Sequence, residues 1–137
     1  MLLFIDDERR RMEPYVEELT LSGYEVEFEE NCDAAWRFFR ERMDEIELVI
    51  LDIMMPPGEV GDQQSPGAGS RTGVSLFDMI RKTAPLMPML IFTNVSDPAV
   101  AKRFAKDNRT RFFRKAGLLS HELVAEVRSM LSAERRR

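Results

Sequence analysis

One short apolar segment restricts the folds open to this chain more than any other. Residues 47–56 read ELVILDIMMP, in which four consecutive apolar residues are followed by an aspartate, Asp52, and soon afterwards by a proline. An apolar run this short, with β-branched side chains in it, is typical of a strand covered on both faces, as in a parallel sheet between two helix layers. The segment therefore predicts an α/β protein in which Asp52 lies at the carboxyl end of a strand.

The rest of the sequence alternates between strand patterns and helix patterns. Further strands are predicted at 2–5, 24–29, 87–92 and 111–114, with amphipathic helices between and after them. Strands that alternate with helices form a doubly wound parallel sheet because the crossovers are right-handed. Residues 24–29 alternate apolar and charged side chains, which is typical of a half-exposed edge strand. The predicted fold is a flavodoxin-like α/β fold, with a five-stranded parallel sheet in the order 2-1-3-4-5 and five helices.

Length, composition and charge indicate one ordinary globular domain. The chain has 137 residues, of which 44% are hydrophobic and 32% charged, and its net charge of -4 gives no electrostatic footprint for nucleic acid. No apolar stretch of the sequence approaches the roughly 18 residues of a membrane helix. We therefore expect a cytoplasmic protein that contacts neither membrane nor nucleic acid. The predicted domain covers 1–132, and 133–137 is interpreted as a tail or the start of a linker. Cys32 is the only cysteine, which excludes a disulfide framework and predicts a small buried thiol.

Two segments interrupt the regular pattern. Residues 56–72 are rich in Pro, Gly, Ser and Gln, and they predict a long loop between the third strand and the third helix. Pro14 lies within the predicted first helix, and it is compatible with that helix only in the first turn, because proline has no amide hydrogen to donate.

Polar side chains follow four of the predicted strands at one edge of the sheet. Asp6 and Asp7 follow the first strand, Asp52 the third, Thr93 the fourth and Lys115 the fifth. The carboxyl ends of parallel strands meet at one edge, where ligands bind. Three carboxylates gathered there need a counter-charge, and an all-oxygen set suits Mg²⁺ better than zinc or copper. A lysine and a hydroxyl beside such a metal indicate phosphoryl transfer to an aspartate.

These residues resemble the receiver domains of two-component response regulators. The resemblance covers essentially the whole chain and rests on four motifs in the right order at the predicted strand ends, namely FIDDE at 4–8, LDIMMP at 51–56, IFTN at 91–94 and FFRK at 112–115. It implies that Asp52 takes a phosphoryl group from the phosphohistidine of a sensor histidine kinase or phosphotransfer protein, or from a small donor such as acetyl phosphate.

The resemblance also implies a metal site and a switch. Asp7, Asp52 and the main-chain carbonyl of Met54 would ligate Mg²⁺ directly, and Asp6 would act through water.

Lys115 would pair with the acyl phosphate, and Thr93 would swing in to bind a phosphoryl oxygen. Phe112 would turn inward behind Thr93 and remodel the surface of the fourth helix and fifth strand. Phosphorylation would thereby control binding of a downstream effector or output domain, or formation of a homodimer. Such a protein catalyses only its own phosphorylation and dephosphorylation and is otherwise not an enzyme.

The sequence departs from the family pattern in two places. The family usually has a proline after its lysine, commonly with a cis bond, whereas Ala116 follows Lys115 here. Either this bond is trans and the loop differs, or the surroundings hold a cis bond that costs roughly 3 kcal/mol. The second departure is the long segment 56–72, where the family usually has a short turn.

Three other functions compete with this interpretation. The main alternative is a pseudo-receiver that acts as a protein-interaction module without phosphorylation, and the intact set of acids, threonine and lysine argues against it. An aspartate-nucleophile phosphatase needs a second acid two residues after the nucleophile, where this chain has Met54. A nucleotide-binding switch needs a G-x-x-x-x-G-K-[ST] motif, and the sequence has none.

Overall fold

Five parallel strands form a single sheet in the computed structural model, which describes residues 1–55 and 72–137. The strands, numbered in chain order, are β1 (Leu2–Ile5), β2 (Val26–Glu29), β3 (Leu48–Leu51), β4 (Met89–Thr93) and β5 (Thr110–Arg114). The helices are α1 (Arg9–Leu21), α2 (Cys32–Arg42), α3 (Thr72–Thr83), α4 (Pro98–Ala105) and α5 (Ser120–Arg135). Short 3₁₀ turns follow α2 at Met43–Glu45 and β5 at Lys115–Gly117.

The strand order confirms the predicted flavodoxin-like topology. The sheet runs β2-β1-β3-β4-β5, and every pair of neighbours is parallel. Leu2 of β1 lies beside Val26 of β2 on one side and Leu48 of β3 on the other. Strand β2 is at the edge, and all four of its residues are only half-buried. Its charged side chains therefore reach water, as the alternating pattern predicts.

Successive residues of the central strands face opposite helix layers. In β3, Val49 and Leu51 pack in the core beneath α2, α3 and α4, whereas Leu48 and Ile50 pack in the core beneath α1 and α5. All four side chains are fully buried. This two-sided burial explains why the strand is a continuous apolar run, and it holds the strand ends in fixed positions.

Two of the helices begin with side-chain caps that the sequence makes recognisable. The Asn31 side chain accepts a hydrogen bond from the amide of Ala34 at 2.8 Å, and Asp97 accepts one from Ala99 at 2.9 Å, with Pro98 as the first helical residue. Each cap satisfies an amide that the helix itself leaves without a partner.

The expectation for Pro14 is wrong, because it is the sixth residue of α1 rather than a residue of its first turn. Its ring removes the hydrogen bond that would reach the carbonyl of Arg10. Both residues are exposed, so water can solvate that carbonyl. The buried side chains of Met12 and Leu19 hold α1 against the sheet in spite of the missing bond.

Helix α5 continues three residues beyond the boundary predicted at 132, and it ends at Arg135. Glu134 in this last turn lies 3.4 Å from Arg109, the residue before β5, and this ion pair holds the end of the helix near the sheet. The predicted loop at 56–72 lies outside the described residues except for Thr72, which is the first residue of α3.

Cys32 is buried on α2, as predicted for a structural thiol. Its exposed fraction is 2%, and burial raises the pKa of the thiol to about 12. A thiol that stays protonated is not a nucleophile. Among the described residues, no helix is both long and apolar enough to cross a membrane.

Candidate functional site

Four strands end at the same edge of the sheet and bring the predicted site residues together. The amide of Asp52 donates to the carbonyl of Ile5 at 3.0 Å, and the amide of Asp6 donates to the carbonyl of Glu29 at 3.1 Å. These bonds continue the β ladder one residue beyond β3 and β1. They hold the backbones of the two aspartates in register at the edge of the sheet.

Both oxygens of the Asp52 carboxylate have partners. Oδ1 accepts hydrogen bonds from the Thr93 hydroxyl at 2.7 Å and from the amide of Met54 at 2.9 Å. Oδ2 accepts one from Nζ of Lys115 at 3.0 Å. Asp52 and Thr93 are buried, with exposed fractions of 3% and 0%. The carboxylate is therefore held in one orientation.

Lys115 is the cation around which the acids assemble. Its Nζ lies 2.8 Å from Oδ2 of Asp6, 3.0 Å from Oδ2 of Asp52 and 3.4 Å from Oε1 of Glu8. Burial alone would lower the pKa of Lys115, but its hydrogen bond to Asp6 and the charge of Asp52 outweigh burial and raise it. The side chain therefore stays protonated and can neutralise an anion at this edge.

Asp6 is completely buried beside Asp52. Burial, together with the negative charge of Asp52, raises the pKa of Asp6 to about 6, although the ion pair with Lys115 and the amide of Glu8 act in the opposite direction. Apart from the ion pair with Lys115, Oδ2 of Asp6 has no hydrogen-bond partner among the described residues. One buried oxygen thus remains open to a further ligand.

Four carboxylates surround a position suitable for a cation. One oxygen from each of Asp6, Asp7, Glu8 and Asp52 lies within 4.8 Å of the other three. Most of the Asp7 side chain is exposed, but part of its surface is covered. This partial loss of solvent is the largest cause that raises the pKa of Asp7, and the negative charges of Asp52 and Glu8 raise it further. Four acids face one lysine, so negative charge exceeds positive charge. An all-oxygen set of this kind, with an open buried oxygen on Asp6, fits Mg²⁺.

Sequence reasoning assigned no role to Glu8, which the structure brings to the same cluster. The available signal was its position directly after Asp6 and Asp7 and directly before α1. The contact with Lys115 depends on side-chain geometry, which residue spacing does not reveal.

Gly73 was also missed, and it determines how closely α3 approaches Asp52. A Cβ atom at this position would lie 2.4 Å from Cα of Ile53 and 2.5 Å from the carbonyl oxygen of Asp52. The amide of Gly73 donates to the carbonyl of Ile53 at 3.1 Å. Only glycine permits this approach without movement of the backbone. A glycine at the start of a helical pattern was the signal that could have indicated it.

The remaining predicted features are Phe112, Met54 and the peptide bond after Lys115. Phe112 is half-buried in β5, where it stacks on Phe104 of α4 with ring centroids 6.0 Å apart. Met54 is 41% exposed, and its amide contacts Asp52. The peptide bond between Lys115 and Ala116 is trans, since the described residues contain no cis bond. The lysine is the first residue of a 3₁₀ turn here.

Comparison with known proteins identifies one family. The sequence model of the response regulator receiver domain matches residues 2–128. None of the curated proteins compared with the chain matches it.

Solved structures of receiver domains are similar to the chain over nearly its whole length. A response regulator receiver domain protein from Clostridium thermocellum is 24% identical, with a TM-score of 0.78 over 98% of this chain and 95% of that one. A CheY-like receiver domain protein from Methanospirillum hungatei JF-1 is 16% identical, with a TM-score of 0.80 over 98% and 95%. A CheX–CheY–BeF3–Mg complex from Borrelia burgdorferi is 16% identical, with a TM-score of 0.75 over 93% and 86%. At these identities the comparison demonstrates a shared fold.

Proposed function

This chain belongs to the response regulator receiver domains, and from that premise we propose that Asp52 accepts a phosphoryl group. Receiver domains are signalling modules, so the modification serves as a signal. The donor is the phosphohistidine of a sensor histidine kinase or phosphotransfer protein, or a small molecule such as acetyl phosphate. We place this reaction in the cytoplasm.

The observation that supports the proposal most strongly is the environment of Asp52. Lys115 and Thr93 contact opposite oxygens of its carboxylate at 3.0 and 2.7 Å. In the reaction an oxygen of Asp52 attacks phosphorus, and the bond from phosphorus to the donor nitrogen or oxygen breaks as the leaving group departs. The ammonium group of Lys115 neutralises charge on the phosphoryl oxygens. The hydroxyl of Thr93 leaves the carboxylate and donates to one of them.

The acidic cluster would hold Mg²⁺ at the same site. Asp7, Asp52 and the main-chain carbonyl of Met54 would bind the ion directly, and Asp6 would bind through water. When bound, Mg²⁺ supplies positive charge to the phosphoryl oxygens. The Borrelia complex, which has the same fold, includes both Mg and BeF3.

The switch in this proposal connects Thr93 to Phe112. If Thr93 moves toward a phosphoryl oxygen, Phe112 can turn inward behind it and leave its stacked position on Phe104. That movement changes the surface formed by α4 and β5, where an effector, an output domain or a second copy of the chain would bind. The CheX–CheY complex from Borrelia is an example of a receiver-like fold with a protein partner.

The pseudo-receiver alternative is not favoured by any observation. Loss of one acid, the threonine or the lysine would favour it, whereas all of them are present. Thr93 and Lys115 both contact Asp52, and Lys115 also contacts Asp6.

The proposal is tested by intact mass after incubation with acetyl phosphate and Mg²⁺. We expect the wild-type protein to gain one phosphoryl group, and we expect Asp52→Asn and a chelated sample to gain none. Asp44→Asn, at an exposed aspartate in the turn after α2, is the matched control and should be modified like the wild type. The proposal would be refuted if the wild-type protein stays unmodified both with acetyl phosphate and with a phosphohistidine donor.

A further inference from the structure

Glu8 makes contacts that the proposed chemistry of Asp52 does not require. Its Oε1 lies 3.4 Å from Nζ of Lys115, and its Oε2 lies 3.1 Å from Nη1 of Arg11. The side chain of Glu8 is 33% exposed, whereas that of Lys115 is 8% exposed. Glu8 thus joins a buried cation of the site to an exposed cation of α1.

The ammonium group of Lys115 is shared among several carboxylates. It carries three hydrogens, and three carboxylates approach it, those of Asp6, Asp52 and Glu8 at 2.8, 3.0 and 3.4 Å. A phosphoryl oxygen that binds Lys115 therefore competes with these carboxylates for the ammonium group. The contact with Glu8 is the longest and the most exposed, so it is the one that breaks at the lowest cost.

Arg11 gives the Glu8 carboxylate a second partner when Lys115 leaves. Arg11 is 75% exposed and lies three residues further along α1. The carboxylate can therefore stay charged and paired without Lys115, and the contact can break and form again.

We propose that Glu8 is a positioning residue for Lys115, one that holds the ammonium group in the unmodified site and opposes its transfer to a phosphoryl group on Asp52. This inference rests on the proposed function of Asp52. Two effects act in the same direction, because Glu8 competes for the ammonium group and also places a negative charge near an incoming anion. Glu8 therefore weakens binding of any phosphoryl-like anion at Asp52.

The test is the affinity for beryllofluoride, a non-covalent phosphoryl analogue, measured by calorimetric titration at saturating Mg²⁺. Glu8→Gln should bind the analogue about threefold to tenfold more tightly than the wild type, the range for removal of one partly screened charge contact. Glu13→Gln makes the same change of charge at an exposed position of α1, and it should leave the affinity unchanged. Thermal unfolding of each variant verifies that it is folded.

Two further variants separate positioning from a general effect of charge. Glu8→Asp keeps the charge but shortens the side chain, so it should lose the contact with Lys115 and also bind beryllofluoride more tightly. In a Lys115→Met background, Glu8→Gln should give a smaller gain than in the wild type, because only the charge of Glu8 remains and its contact with Lys115 is absent.

The outcomes distinguish this inference from the proposed function. A wild-type protein that does not bind beryllofluoride at Asp52 would refute both. Equal affinities of the wild type and Glu8→Gln would refute the inference alone. A wild-type affinity in Glu8→Asp, or a full gain in the Lys115→Met background, would also refute it, since the effect would then be one of charge and not of contact with Lys115.

Discussion

Asp6 keeps an ionisable group where water cannot reach it. Its side chain is fully buried, and its pKa rises from 3.8 to about 6, mainly because burial disfavours the charged form. A proton therefore binds more tightly in the folded chain than in the unfolded chain. The neutral form stabilises the fold at low pH, and this contribution is lost as pH rises through about 6.

The loss of stability with rising pH leads to a prediction for Asp6→Asn in metal-free buffer. A shift of about two pKa units corresponds to at most about 3 kcal/mol, so above pH 7 the variant should be more stable than the wild type by up to that amount. The difference should shrink as pH falls from about 6 to about 4. Urea unfolding at pH 4.5 and 7.5 with a chelator measures it, and Asp44→Asn is the exposed control. A variant that is less stable than the wild type at pH 7.5 would contradict this account of Asp6.

At the scale of elements, the start of α3 fixes the backbone beneath Asp52. Gly73 lies directly against the turn that follows β3, and its amide bonds to the carbonyl of Ile53. The helix thereby supports the strand end on which Asp52 lies. Glycine is disfavoured inside helices, but it is present here because there is no space for a Cβ atom at position 73.

Gly73→Ala is predicted to destabilise the protein and to disturb the site. The added Cβ would contact backbone atoms at 2.4 and 2.5 Å, so α3 must shift, at a cost of about 1–3 kcal/mol or more. The free energy of unfolding in urea measures this cost. Gly117→Ala is the matched control, since nothing lies within 4 Å of its added Cβ, and it should change stability by no more than about 0.5 kcal/mol. Equal stabilities of the two variants would contradict the close approach of Gly73 to the backbone of Asp52 and Ile53.

The burial of the strands and the path of helix α3 explain which features could be predicted from the sequence and which could not. The two-sided burial of β3 and the half-exposure of β2 leave different patterns in the sequence, so the strand order could be predicted. Parallel strands then bring Asp6, Asp52, Thr93 and Lys115 to one edge whatever the side-chain details. The approach of Gly73 depends on the path of α3 over the strand end, which no residue pattern encodes.

Pro14 illustrates a second limit of sequence reasoning. The rule that restricts proline to the first turn describes an isolated helix, whereas α1 is held by buried contacts on the sheet. Tertiary packing outweighs one missing hydrogen bond on an exposed surface.

At the scale of the whole molecule, charge is distributed unequally. Residues 1–55 contain 16 acidic and 6 basic side chains, a net charge of -10, and residues 72–137 contain 6 acidic and 13 basic side chains, a net charge of +7. The cluster at the sheet edge draws its four acids from the first part and its lysine from the second. A bound cation would therefore relieve repulsion that the fold itself concentrates at this edge.

Mg²⁺ should accordingly stabilise the entire fold. Because an ion that binds only the folded chain contributes by mass action, about 2.7 kcal/mol is expected at one hundred times its Kd. Thermal unfolding across a magnesium titration, with a chelated reference, measures the shift of Tm. Asp52→Asn should reduce the shift strongly, and Asp44→Asn should not. An equal shift in Asp52→Asn would contradict the assignment of the metal to the cluster.

Chemical mapping determines whether Asp52 itself carries the phosphoryl group. Borohydride reduces an aspartyl phosphate to homoserine, so the protein is treated with acetyl phosphate and Mg²⁺, reduced, digested and analysed by peptide mass. We predict homoserine at position 52, and none there when Mg²⁺ is chelated. Homoserine at another aspartate, or none in a sample whose intact mass shows a phosphoryl group, would contradict it.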